Sequence, residues 1–217
     1  KINDKNRINL EKPQVTILFY KCNEFFITLN YHDEITAYKK CLKHHISLRP
    51  YFSPISIHPR IARAMINLSN CNENDILLDP FCGTGGILIE GADMKLKVVG
   101  IDLKEKMIEY SKGNLNHYGL KGTVIKADFE KLKEMKFESI VCDPPYGIAS
   151  TTGGEKISSM MERFIRIIEN KMIKGQRLVI ALNDTELLKK EKLKIIYHFK
   201  WYIHKSLTRN ILVLEKN

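Results

Sequence analysis

The sequence predicts an α/β fold: a doubly wound, mostly parallel sheet with an antiparallel hairpin at its C-terminal edge. Three observations lead there. Between residues 76 and 182, short apolar runs alternate with amphipathic stretches, the pattern of repeated βαβ units. An acidic residue stands at the end of four of these runs, as Asp79, Asp102, Asp128 and Asp143. The last segment, KLKIIYHFKWYIHKSLTRNILVLEK, holds two β-rich runs with no helical spacing between them, and neighbours of that kind pair antiparallel at an edge.

Taken in order, strands are expected at Ile76–Asp79, Lys97–Asp102, Gly122–Lys126, Glu138–Asp143 and Arg177–Leu182. Helical patterns run from about Gly85 to Asp93, Lys104 to Tyr118 and Glu155 to Met172. In the last, Ile157, Met161, Phe164, Ile168 and Met172 recur at three- and four-residue steps, as on one face of a helix. Ahead of the core, Val15–Phe19 and Phe25–Leu29 flank a polar Lys21-Cys22-Asn23-Glu24 and read as a hairpin. Residues 1–50 are too few to bury a core of their own and are expected to be a separate piece, with the main domain over 51–217.

Composition narrows the function classes. The chain has 217 residues and no apolar run near the ~20 needed to cross a bilayer, so a soluble, cytoplasmic protein is expected, without membrane contact. Its five cysteines form no CxxC pair, which points away from zinc knuckles and disulfide frameworks. The net charge of +10 is uneven: residues 1–60 carry ten Lys/Arg against five Asp/Glu, residues 61–182 carry 17 against 16, and residues 183–217 carry eight against four. A near-neutral middle with basic flanks suits a polyanionic partner.

The first strand–helix turn reads LLDPFCGTGGILIEG, where Gly83, Gly85 and Gly86 let the backbone turn sharply and approach a ligand. A GxGxxG dinucleotide fingerprint would need glycine at position 88, which is Leu88. In open α/β sheets ligands lie at the carboxyl ends of strands, so the acids there form the test set. Asp102 stands where an acid accepts from ribose hydroxyls, Asp128 where one meets a base edge, and Asp143 opens the corner Asp143-Pro144-Pro145-Tyr146. Two successive prolines donate no N–H, so that corner presents carbonyl oxygens, a carboxylate and a phenol ring.

DPFCGTGG, GID, KADF and DPPYG together resemble class I S-adenosylmethionine-dependent methyltransferases with a Rossmann-like sheet, of the amino-methyltransferase type with an Asp-Pro-Pro-Tyr motif. RPYFSPISIHPRIARAMINLS and HKSLTRNILVLE are similar to segments of the archaeal tRNA guanine-N2-methyltransferases that modify guanosine at position ten. The resemblance implies S-adenosylmethionine as methyl donor and tRNA as partner, with no metal, and a monomer is expected. It places Asp79, Phe81, Gly83, Gly85, Asp102 and Leu103 around the donor, with Asp128, Phe129 and Asp143 completing the strand-end set. Ser56 and His58 fall near its methionine end.

Asp143 and the Pro144 carbonyl are then the groups that orient an exocyclic amine, and Tyr146 the ring that stacks on a flipped base. Arg49, Lys205 and Arg209 are candidates for RNA phosphate contacts, and Ile148–Glu155 for a flap over the base. The family carries an upstream THUMP domain, of which residues 1–50 resemble the last strands and the linker; Lys1 in place of an initiator methionine agrees with a fragment. Adenine-N6 methylation of DNA or RNA remains an alternative, because the Asp-Pro-Pro-Tyr corner serves both amines. So does an RNA-binding module of this fold without turnover.

Overall fold

The computed structural model describes residues 15–21, 25–31, 42–53, 56–145, 156–188, 192–204 and 207–217. The chain divides into two compact units, Lys1–Lys43 and His44–Asn217. In the first, β1 (Val15–Lys21) and β2 (Phe25–Tyr31) pair antiparallel from Val15↔Tyr31 to Lys21↔Phe25, as the hairpin reading expects. The boundary differs from the expected 50/51. His44 to Pro50 belong with the larger unit, where His44 Nδ1 lies 2.8 Å from the buried Glu90 and the next residue, Tyr51, donates its N–H to Asn114.

The larger unit is built on seven strands: β3 (Ile76–Asp79), β4 (Lys97–Asp102), β5 (Thr123–Lys126), β6 (Ser139–Cys142), β7 (Arg177–Leu182), β8 (Leu193–His204) and β9 (Leu207–Lys216). Their order across the sheet is β5-β4-β3-β6-β7-β9-β8. The first five run parallel; β9 is antiparallel to β7, and β8 is antiparallel to β9. Winding reverses at β3, which lies between β4 and β6, and a crevice at the carboxyl ends of the strands follows from that reversal.

Both sheet faces are covered, which is why the strands read as continuous apolar runs. On one face pack α1 (Pro59–Leu68), α2 (Gly86–Asp93) and α3 (Glu105–His117), with Met65, Ile66, Leu88 and Ile108 against Leu77, Val98 and Val141. On the other lies α4 (Ile157–Lys171), whose Met161, Phe164, Ile165 and Ile168 meet Leu78, Ile140 and Ile180. The expected stripe on this helix is the buried one, with Ile157 partly buried at its start and Met172 just past its end. Among the described residues no helix is long and apolar enough to cross a membrane.

Candidate active site

The turn after β3 is shaped by two left-handed glycines, Gly83 at φ +50° and Gly85 at φ +83°. A Cβ on Gly85 would lie 2.5 Å from Ser111 Oγ, so this position requires glycine for space as well as for conformation. Asp79 ends β3 with 1% exposure, and its Oδ1 accepts the Phe81 N–H at 3.0 Å. Burial pushes its carboxyl well above the usual range, with the Asp143 and Asp102 charges adding to the effect.

Asp102, at the end of β4, accepts from Gly83 N–H at 3.0 Å with Oδ2 and from Lys104 N–H at 2.9 Å with Oδ1. One carboxylate thereby fixes the glycine turn to the neighbouring strand end. Burial raises its pKa, against the pull of the Lys104 and Gly83 N–H groups.

Asp128 accepts from Glu130 N–H at 2.8 Å, capping a short 3-10 turn over Phe129–Glu134. The same carboxylate takes a hydrogen bond from Arg163 of α4 at 3.1 Å, and the guanidinium lies 4.4 Å from the Phe129 ring centroid. Ser56 reaches the glycine turn, its hydroxyl 2.9 Å from that of Thr84.

The corner after β6 holds Asp143, with a side chain 12% exposed. Its Oδ2 accepts from Arg209 Nη1 at 2.8 Å, while Oδ1 is out of solvent with no hydrogen-bond partner among the described residues. Burial drives the carboxyl up to about 7, against the downward pull of the Arg209 charge and hydrogen bond. Pro144 is buried beside it.

One cavity draws these strand ends together. Asp79, Phe81, Gly83, Asp102, Leu103 and Asp128 line it, as do Phe129, Asp143 and Ser56, all expected from the sequence. Thr84, Met160 and Arg163 line it as well, beyond the expected set. Thr84 sits inside the glycine motif and is legible by position, whereas the two α4 residues carry no local signal. Gly85 shapes the turn from behind.

Three expectations change. Arg209 is 6% exposed and pairs with Asp143, so a surface phosphate contact gives way to a buried ion pair. Arg49 is 4% exposed with its Nε donating to the His44 carbonyl, and is likewise withdrawn from the surface. His58 is the N-cap of α1, its Nδ1 accepting from Arg60 N–H at 3.2 Å; its role here is a cap, and it is not among the residues that line the cavity. Tyr146, Lys205 and the flap segment lie outside the described residues.

Residues 47–194 match the family described as UPF0020, RMKL-like, methyltransferase domain. The chain belongs to this family. Similar proteins to this RMKL-like domain include the tRNA (guanine(10)-N2)-dimethyltransferase of Methanothermobacter thermautotrophicus, 37% identical over 97% of the chain and 64% of that protein. The chain thus spans somewhat less than two-thirds of that relative's length. The fold is that of TrmN from Thermus thermophilus, with TM-score 0.67 and 21% identity over 96% of this chain and 62% of that one. It is also that of SMU.472 complexed with SAH, at TM-score 0.62 and 18% identity over 76% of this chain and 54% of that one.

Proposed function

We propose that this RMKL-like domain transfers a methyl group from S-adenosylmethionine to the N2 amine of a guanosine in tRNA, at position ten. The observation that carries the reading is Asp143: a buried carboxylate at the cavity wall with one oxygen held and the other unpartnered among the described residues. The relative's activity on guanine N2 and the SAH bound to a structure of the same fold support it.

The lining suits the donor. Asp102, held by two backbone N–H groups, accepts from the ribose hydroxyls. Phe81, Leu103 and Phe129 offer apolar surface to the adenine, with Asp128 at its edge. Asp79, whose ionised form is disfavoured by burial, gains from the ammonium of the methionine end, near Ser56 and the glycine turn. When bound, S-adenosylmethionine supplies a sulfonium methyl whose carbon–sulfur bond breaks as the amine lone pair bonds to carbon, the broken pair staying on sulfur.

A guanine amine is a poor nucleophile because its lone pair is delocalised into the ring. Asp143 Oδ1 and the Pro144 carbonyl accept its two N–H groups, which favours a pyramidal nitrogen aimed at the methyl. A carboxyl with a pKa of about 7 is matched to taking the proton that the methylated nitrogen releases. Tyr146 stacks on the flipped base, and the unit over Lys1–Lys43 is the end of an upstream THUMP-like RNA-binding domain.

The test is methyl transfer from isotopically labelled S-adenosylmethionine to a tRNA transcript, followed by nuclease digestion and mass spectrometry. Label in N2-methylated guanosine at position ten is expected, and loss of turnover in Asp143→Ala with cofactor affinity held within a few-fold. Label on adenine N6 would replace the reading with the alternative amine; binding of both ligands without transfer would leave a binding module.

A further inference from the structure

We propose that Arg209 is the positioning residue of this site: it holds Asp143 by Oδ2 so that Oδ1 alone is presented, ionised, to the substrate amine. The inference rests on the methyl-transfer reading above for its catalytic consequence, but its structural part stands on geometry alone.

The sheet topology delivers Arg209 to this place. Because β9 runs antiparallel to β7, with Leu182 opposite Asn210, its first residues lie at the carboxyl edge of the parallel strands, where β6 ends and Asp143 begins. The guanidinium is fixed from the other side as well, since its carbon lies 5.7 Å from the ring centroid of Trp201, the residue opposite Arg209 on β8. With 7% of the Arg209 side chain exposed, the pair is shielded from the solvent that weakens surface ion pairs.

The groups facing Asp143 make this cation decisive. From β9 comes Arg209; from the end of β3 comes Asp79, buried and electrostatically linked to Asp143; from β6 itself comes the buried Cys142 thiol. Asp102, on β4, bears on Asp79 in turn. Of these groups all but Arg209 are acids or neutral, and burial opposes the carboxylate. Take the guanidinium away and Asp143 stays protonated to higher pH, so that Oδ1 loses acceptor strength and the group can no longer receive a proton.

The test uses Arg209→Met, Arg209→Gln and Arg209→Lys in the full chain, with two readouts. The first is the pH profile of kcat for methyl transfer to tRNA. Its acidic limb is expected to move upward in the Met and Gln variants. At a fixed pH below the limb, turnover then falls about tenfold for each pH unit the limb has moved, and it recovers at alkaline pH. The Lys variant, keeping the charge, should return the limb toward the parent. Affinity for S-adenosylmethionine should stay within a few-fold throughout.

The second readout needs no turnover: a carboxyl 13C NMR titration of the ligand-free protein, with the Asp143 signal assigned by Asp143→Asn. It should show the Asp143 midpoint rising in Arg209→Gln, which keeps a neutral N–H donor on a shorter side chain and guards against misfolding of the Met variant. An unmoved midpoint in Arg209→Gln, or a kcat lowered equally at every pH, overturns the proposal. If the parent titrates as described but transfers no methyl group, the functional reading falls while the Arg209 assignment stands.

Discussion

His44 Nδ1 lies 2.8 Å from Oε1 of Glu90, a carboxylate with no exposed side-chain surface whose Oε2 takes a hydrogen bond from Arg63 at 2.8 Å. Arg63 also bonds Asp93 at 3.0 Å, so one guanidinium joins both acids of α2 while the histidine ties in the segment ahead of α1. His44, Glu90 and Asp93 converge in the manner of metal ligands, but the arginine already supplies the cation.

Glu90→Ala would strip the partly buried Arg63 and the buried His44 of their shared partner. Because the buried His44 loses its partner while Arg63 keeps only Asp93, a loss of roughly 1–3 kcal/mol is expected in urea denaturation, with Glu90→Gln losing less. A change within about 0.5 kcal/mol would mean that water replaces the carboxylate freely and that the segment is held by packing alone.

Asp79 yields a pH dependence whose sign is fixed. Its carboxyl is raised well above the unfolded value, so between the two the folded state holds more protons, and stability falls as pH rises through that window. Asp143, at about 7, and Asp102, also raised, act in the same sense. Asp79→Asn removes one ionisation while keeping an acceptor for the Phe81 N–H. The ligand-free variant should therefore gain stability over the parent as pH climbs above the ordinary carboxylate range, measured by denaturation at each pH. A difference that is constant across the range would show that Asp79 is ionised at no extra cost.

If the proposed donor site holds, Asp102→Ala should weaken S-adenosylmethionine binding by roughly 1.5–3 kcal/mol, because the ribose would lose a charged acceptor. Calorimetry reads this directly. The substitution also removes the acceptor for Gly83 N–H, so the turn itself loosens and part of the loss arises there. Equal affinity in variant and parent would take Asp102 out of the donor site.

How much of the fold and site is legible in the sequence differs by the range of the interaction. β3, β4 and β7 have the expected limits because doubly covered strands write themselves as apolar runs, and the acids that end β3 and β4 are held by backbone N–H groups of the adjoining turns. The cavity set follows, since residues at strand ends in one sheet converge whatever their separation. Arg209 and Asp143 are 66 positions apart, and only the placement of β9 between β7 and β8 brings them together. Spacing along the chain holds no sign of that, so Arg209 reads as a surface cation. Arg49 misleads likewise, its burial depending on packing around His44 and α2. His58 illustrates the reverse: a histidine just before proline at a helix start is a cap by local chemistry, and the family likeness draws attention away from it.

With Arg49 and Arg209 buried, RNA contacts under the proposed function would come from other cations, and β8 separates two of them cleanly. Lys200 and Lys194 are both exposed on this edge strand. Lys200 lies opposite Asn210, one residue from Arg209, at the carboxyl edge of the parallel strands; Lys194 lies opposite Glu215, roughly 20 Å away at the other edge. Tyr202, at 65% exposure and two residues on along the same face of the strand, offers a ring beside Lys200 on which a base can stack. RNA that delivers a base to Asp143 should therefore cross Lys200 and miss Lys194. Each phosphate neutralised releases condensed counterions, so Lys200→Ala should reduce the slope of log affinity against log salt by about one, while Lys194→Ala leaves it unchanged. Fluorescence anisotropy of labelled tRNA across a salt series measures both, with S-adenosylmethionine affinity unaltered in either. Slopes unchanged in both variants would place the RNA path away from the β8 edge.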